Sequence, residues 1–434
     1  MAALDLTPRQ RQRAALAALL GNALEWYDFA VYGYVASDLG RAFFPEDVPG
    51  LQTLAAFGVF AVGYLMRPIG SLVLGPLGDL LGRRLMLSVS IVIMGLSSLL
   101  IGVLPTHDQI GMAAGLLLVL LRMLQGFSVG AEFTGSITYA TEAAAKGQAG
   151  YLSSLAVAGG LLGFSLGSLS AALIGWILGP AAMASWGWRG PFLVGAAVAV
   201  LGLWMRRGMP ETLPSAQERA STLRLAALGG PVVGLLREVL GQWRLVLQVI
   251  ALVSFANVIF YLSFVYLVDL TGARTGQPAA ANTIATVIQT MGLLLAIWGG
   301  RLADRYGMVR VNRWGNALLV LVAPMGLLIG GQGQLLSLGI AQMLLVTPVM
   351  VTMGAQGVLG VLLVPEQQRC AVFSIAYSLA MALFAGTAPL VASWLATQQW
   401  SAWIVPYVLL YGAAALLTLQ RLPVGRLSPT ALPR

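Results

Sequence analysis

Glu25 and Asp28 stand three apart in GNALEWYDFAVYG, residues 21–33, where every other neighbour is apolar, aromatic or neutral. On a helix this spacing puts both carboxylates on one face, about a turn apart, with Asn22 on the same face. Carboxyl groups so placed can bind a cation, carry a proton or pair with an arginine. The natural arginine is Arg122, in LRMLQGF. An acid beside a guanidinium in a low-dielectric cavity can alternate between ion-paired and protonated states, and an anionic substrate can compete for the freed guanidinium. Glu132 is a further acid of this kind. Arg67, just before Pro68, either joins the same cavity or snorkels to a polar boundary.

The elements that must carry these groups are apolar. Over 434 residues the chain is 58% hydrophobic and 9% charged, with a mean hydropathy of +0.83. So few charges do not cover the surface of a water-soluble protein of this length. The apolar residues fall into twelve runs, at 14–37, 51–74, 85–104, 110–133, 150–179, 190–207, 245–270, 279–300, 314–331, 335–364, 370–397 and 402–420. Each has about the length that crosses a bilayer core as a helix, roughly 20 residues. The expected fold class is therefore an all-α polytopic membrane protein. RQRQR precedes the first run and no small-residue cleavage pattern follows it, so this run reads as a retained helix. A charge near the bilayer centre costs at least about 2.5–3.5 kcal/mol, so Glu25 and Asp28 are expected to face the bundle interior.

The net charge of +9 reports orientation. Of 25 Lys and Arg, 20 fall at the N-terminus, in the even-to-odd loops or at the C-terminus, which puts both termini in the cytoplasm of a cell (inner) membrane protein. The expected partners are a small-molecule substrate, protons and the lipid bilayer, with no nucleic acid and no obligate protein partner. One cysteine, Cys370, and one histidine, His107, give neither a disulfide nor a metal cluster, so no cofactor or metal is expected. The same scarcity argues against an enzyme, for want of a nucleophile–base pair.

Six runs precede and six follow the polar segment 206–244, which divides the chain into bundles at 1–205 and 245–434 joined by a cytoplasmic linker. The halves repeat. GPLGDLLGRR, with Gly75, Asp79, Gly82, Arg83 and Arg84, follows the second run; GRLADRYGMVR, with Asp304 and Arg305, follows the eighth. Asp79 and Asp304 are 225 residues apart, and the same offset from Glu142 lands beside Glu366. Repeats of this kind mark transporters whose halves rock about a central site. The glycines permit tight turns, and an aspartate between helix ends can accept backbone hydrogen bonds or a basic partner from the other half, a contact that must break when that face opens.

GxxxDxxGRR between the second and third runs resembles the signature loop of the major facilitator superfamily, with an imperfect second copy where that family repeats it. GNALEWYDFAVYG, RPIGSLVLGPLGDLLGRR, RMLQGFSVGAEFTG and WGWRGPF are similar to its metabolite:proton symporter branch, which includes citrate, 2-oxoglutarate, shikimate and proline/betaine carriers. The resemblance spans essentially the whole chain. It departs at Leu80, where a basic residue commonly follows the aspartate, and at Met308 and Val309, which replace the basic pair of the second copy. It implies twelve helices in two pseudo-symmetric six-helix bundles and alternating access. In related sugar porters an aspartate of helix one and an arginine of helix four respond together to protonation, and Asp28 and Arg122 match those places.

From this the expected function is proton-coupled uptake of a small carboxylate-bearing metabolite, the guanidinium fork matching a carboxylate. A proline/betaine-type solute is the alternative, since SVGAEFTGS and NVIFYL resemble those carriers and Trp or Tyr near Glu25 can cradle a quaternary ammonium. A proton-driven exporter is less expected, because the fifth run lacks the Gly-Pro pattern of many antiporters. Substrate binding is assigned to Asn22, Glu25, Arg122, Asn257 and Tyr261, and proton coupling to Asp28, Arg122 and Glu132. The second half is expected to bring no intramembrane charge in its first helix, only neutral groups. Gly159, Gly163 and Gly167, every fourth residue of the fifth run, are expected to serve close helix packing.

Overall fold

The computed structural model describes residues 8–45, 50–81, 83–130, 132–142, 144–145, 147–206, 230–365, 368–399 and 401–422. Side chains of 8–18, 75–87, 204–206, 230–233, 235, 238 and 370–371 lie outside that description. Every regular element among the described residues is helical, as a chain without enough charge for a solvated surface requires: in lipid a helix satisfies its own backbone.

The first half comprises α1 (Pro8–Tyr34) with its short extension α2 (Ala36–Phe43), α3 (Leu51–Leu81), α4 (Arg83–Val103), the one-turn α5 (His107–Ile110), α6 (Met112–Ser128) with α7 (Glu132–Glu142), α8 (Ala149–Ala182) and α9 (Arg189–Arg206). After α10 (Gly230–Gly241), the second half runs through α11 (Trp243–Tyr261) and α12 (Leu267–Thr275), α13 (Pro278–Tyr306), α14 (Met308–Gly330), α15 (Leu335–Leu363), α16 (Ser374–Ala380) with α17 (Ala388–Thr397), and α18 (Ile404–Arg421). Counting α1–α2, α6–α7, α11–α12 and α16–α17 as single spans, and setting aside the short α5 and α10, gives the twelve membrane helices read from the hydropathy, in two six-helix bundles. The segment between the halves is not all irregular, since α10 lies within it.

Two of the composite spans are joined by π-helical turns, Leu262–Tyr266 between α11 and α12 and Met381–Ala385 between α16 and α17. Each turn rotates the residues beyond it, so ideal helical spacing between Tyr261 and Tyr266 does not hold. Within each half, α1 packs on α8, α3 on α6 and α4 on α9, while α13 and α14 pack on α15 and α11 on α18. The halves meet along α8 against α13 and along α3 against α16 and α17.

Small residues set the closest crossings. A Cβ on Gly159 or Gly163 of α8 would run into the Leu19 or Ala23 carbonyl of α1, and one on Gly167 would crowd Ala30. The glycine stripe thus serves packing, and it fixes α1 against the bundle with its acids turned inward. Gly126 and Gly130 of the α6 span do the same against the backbone of Gly63 and Arg67 on α3.

Candidate functional site

Glu25 and Asp28 are both buried, on the face of α1 that points into the first half. Glu25 pairs with the arginine that sequence spacing left undecided: Arg67 Nη2 donates to Glu25 Oε1 at 3.1 Å, both side chains being under 5% exposed. The Arg67 guanidinium lies 4.4 Å over the Trp26 ring, 5.2 Å from Phe29 and 5.6 Å from Tyr64. Arg67 therefore does not snorkel. Its position follows from the α3–α6 crossing, which brings this part of α3 against the bundle at glycine width, and Pro68 beside it leaves the Tyr64 carbonyl without its i+4 amide donor.

Asp28 and Arg122, expected as a pair, are not in direct contact: among the described residues no ion pair joins them. Arg122 Nη1 donates to Gln125 Oε1 at 2.8 Å, and Gln125 Nε2 donates to Ser98 Oγ at 2.8 Å. The Ser98 hydroxyl lies in turn against the Asp28 carboxyl. Arg122 is wholly buried among rings, 4.4 Å over Tyr32 and 4.9 Å from Phe29, and its Nε and Nη2 have no hydrogen-bond partner. The other side of Asp28 faces a cavity of about 20 Å³ lined by Leu24, Glu25, Ser90, Met94 and Glu132, among others. That is room for about one water. The two acids assigned to proton coupling, Asp28 and Glu132, thus line one cavity, together with Glu25, which was assigned to substrate binding.

The remaining predicted residues divide. Asn22 is buried and committed to helix packing, donating to Ser136 Oγ at 2.9 Å and to the Ala156 carbonyl at 2.8 Å. Asn257 donates at 2.6 Å to Val253 O on its own helix. Tyr261 does face the centre, its hydroxyl 2.7 Å from that of Tyr64 across the boundary between the halves. Sequence reasoning missed Tyr64; its spacing of three from Arg67 was the available signal. Phe133 continues the aromatic layer, 5.1 Å from Trp26 and 5.4 Å from Tyr377 of the second half.

At the face where α13 meets α14, Asp304 accepts hydrogen bonds from Gly150 N at 2.7 Å and Tyr151 N at 2.8 Å, capping the first turn of α8. The partner is a helix N-terminus and not a basic side chain. Arg305 is exposed; the arginine that reaches the other half is Arg301, 4.6 Å over the Tyr151 ring. Arg369 and Glu142, 3.5 Å apart, join the halves on the same face. Gly75 lies within α3, while the side chains of Asp79, Arg83 and Arg84 lie outside the described residues, as do Gly82 and Glu366.

The opposite face is closed as well. Ser37 gives its backbone N–H to Asp269 Oδ1 at 3.0 Å and its hydroxyl to Asp269 Oδ2 at 2.8 Å, and Gln289 Nε2 donates to the Tyr34 hydroxyl at 2.6 Å. Asp269 corrects the expectation that the first span of the second half is uncharged: the acid sits at its far end, where it ties the halves together. With contacts across both faces and the centre, the two halves are held closed around the buried charges. Among the described residues no three His, Cys, Asp or Glu side chains gather as metal ligands would.

The family model described as the Major Facilitator Superfamily matches residues 15–362. The chain is 33% identical over 406 residues to the proline/betaine transporter of Escherichia coli (strain K12), covering 92% of this chain and 80% of that relative. It is 33% identical over 423 residues to the ectoine/proline transporter ProP of Corynebacterium glutamicum, covering 94% and 83%. Among solved structures it resembles the proton:xylose symporter XylE bound to 6-bromo-6-deoxy-D-glucose, with a TM-score of 0.73 and 17% identity over 95% of this chain and 96% of the other. The partially occluded inward-open XylE of E. coli gives a TM-score of 0.71 at 18% identity, covering 96% and 98%.

Proposed function

Since the chain belongs to the Major Facilitator Superfamily, we propose that it is a proton-coupled symporter taking up a zwitterionic compatible solute of the proline or betaine kind. The relatives do not support the carboxylate-bearing metabolite put first from the sequence; they support its alternative, a proline/betaine-type solute. Relatives named for proline, betaine and ectoine support a solute that carries its own cation beside its carboxylate.

One observation carries the coupling: the middle of the first half holds two acid–arginine couples, of which Glu25 and Arg67 touch while Asp28 and Arg122 do not. A carboxyl group with no direct counter-ion takes up a proton without an ion pair being broken, and Asp28 has a water-sized cavity beside it through which a proton can arrive. Glu132, on the same cavity, is the second acid of that route. Protonation changes the charge balance of α1 against α4, α6 and α9, and so the relative energy of the two access states.

Gating follows from the cross-contacts. Asp304 on α8 and Ser37 on Asp269 close opposite faces, and alternating access opens one set while keeping the other. The excess of basic residues supports a cytoplasmic position for the face bearing Asp304 and for both termini. The halves 1–205 and 245–434 move as units about the segment 206–244, with Asp79, Arg83, Arg84, Gly75, Gly82 and Arg305 assigned to the cytoplasmic gate.

The test is uptake into proteoliposomes of radiolabelled betaine, proline, citrate and 2-oxoglutarate, with and without an inward proton gradient. Gradient-driven accumulation of betaine or proline is expected. Accumulation of citrate alone, or uptake indifferent to the gradient, overturns the proposal.

A further inference from the structure

Arg67 occupies a place built for a cation. Three aromatic rings, Trp26, Phe29 and Tyr64, surround its guanidinium, and Glu25 supplies the negative charge. Rings and a carboxylate are the chemistry that holds a quaternary or secondary ammonium. The fork itself is half used: Arg67 Nη1 is buried with no hydrogen-bond partner, and so is Nε1 of the Trp26 ring beneath it. Two buried donors left without acceptors are costly, and a carboxylate brings the acceptor that Arg67 Nη1 lacks.

Taking the solute to be a zwitterion, as proposed above, we infer that Arg67 is a tethered stand-in for the solute's cation. When a zwitterion binds, its ammonium replaces the guanidinium against Glu25 and the Trp26 ring, and its carboxylate takes the fork of Arg67. The arrangement exchanges one ion pair for two, so every charge stays partnered. A ligand with only a cation displaces Arg67 and gives it no anion; a ligand with only a carboxylate leaves Glu25 without its counter-charge. Both strand a buried charge, which is how the site rejects them.

Arg67 suits this role better than Arg122. Arg122 is enclosed within the first half by Phe29, Tyr32 and Gln125. Arg67 stands one helical turn from Tyr64, whose hydroxyl meets Tyr261 of the second half at 2.7 Å. A ligand biases the rocking of two halves through contacts that differ between the two states, and a residue beside their boundary offers such contacts.

The probes are betaine, choline as its cation-only counterpart, and 3,3-dimethylbutanoate as the isostere with carbon in place of nitrogen. In wild-type proteoliposomes, betaine counterflow is expected to resist competition by choline and by 3,3-dimethylbutanoate, each binding on the order of 100-fold more weakly than betaine. In Arg67→Gln, betaine affinity falls by a comparable factor and choline binding rises, because Glu25 and the rings then lack a cation. In Glu25→Gln, betaine affinity falls and 3,3-dimethylbutanoate binding rises. The wild-type competition needs no altered protein, so a folding defect in either variant leaves the inference open to refutation. Strong competition by either half-ligand overturns it, as does wild-type betaine affinity in Arg67→Gln. Wild-type protein that binds neither betaine nor proline overturns the solute assignment itself, an outcome distinct from the others.

Discussion

The two acid–arginine couples of the first half stand one helical turn apart on α1 and are arranged oppositely. Glu25 and Arg67 touch, sit in an aromatic layer and border the second half through Tyr64. Asp28 and Arg122 are held apart by Gln125 and Ser98, inside the first half and beside a water-sized cavity. A made pair is a contact that a ligand of matching charges can divide. An unmade pair is a place where a proton can come and go. On the roles proposed above, separating solute from proton needs only one turn of helix, provided the two arginines come from different neighbours, α3 and α6.

What the couples share is the α3–α6 crossing, and breaking it should have the largest effect. A Cβ on Gly126 runs into the Gly63 carbonyl, so Gly126→Ala is expected to push α3 from α6, displace Arg67 and Arg122 together and cost several kcal/mol, about 3 or more. The check is loss of both exchange and accumulation with a lowered unfolding temperature in detergent. Wild-type stability would show that the crossing does not hold the couples in place.

The next variant separates them. Asp28→Asn is expected to retain solute exchange while accumulation against a gradient falls to the background of gradient-free vesicles. Loss of exchange with accumulation retained would invert the assignment of roles. Gln125→Leu sharpens the contrast at lower cost: it leaves Arg122 Nη1 without a partner, worth about 1–3 kcal/mol, read as a lower unfolding temperature. Exchange should survive it, because the Glu25–Arg67 pair is untouched.

The smallest effect is expected at the far face. Ser37→Ala removes one of the two hydrogen bonds to Asp269, about 1 kcal/mol, so deuterium uptake across 36–43 should rise by roughly fivefold. No change there would mean that Ser37 does not help to close that face.

Much of this was legible in the sequence. Hydropathy located the twelve spans, because every helix in lipid must be apolar over the same length. The glycines of α8 were legible for a similar reason, their period of four having few uses besides close approach. The partners of the charges were not. Arg67 and Arg122 lie on different helices, and nothing in linear spacing decides which arginine reaches Glu25. The spacer between Asp28 and Arg122 is made of Gln125 and Ser98, residue types common in membrane helices as packing groups. Asp304 binds backbone amides, which carry no sequence signature, and Asp269 falls at the margin of its apolar run.

The charges of the two couples also set an electrical behaviour. Glu25, Asp28, Arg67 and Arg122 sum to zero when both acids are ionised, and to one positive charge when Asp28 holds a proton. A zwitterion changes neither sum. Glu132 on the same cavity shifts both sums equally, so the difference is what counts: one charge crosses the bilayer per transport cycle, driven by about 2.3 kcal/mol for each 100 mV. Transport current on a voltage-clamped membrane is expected to track the proton and to increase as the interior is made negative, while solute exchange at equal concentrations on both sides proceeds silently.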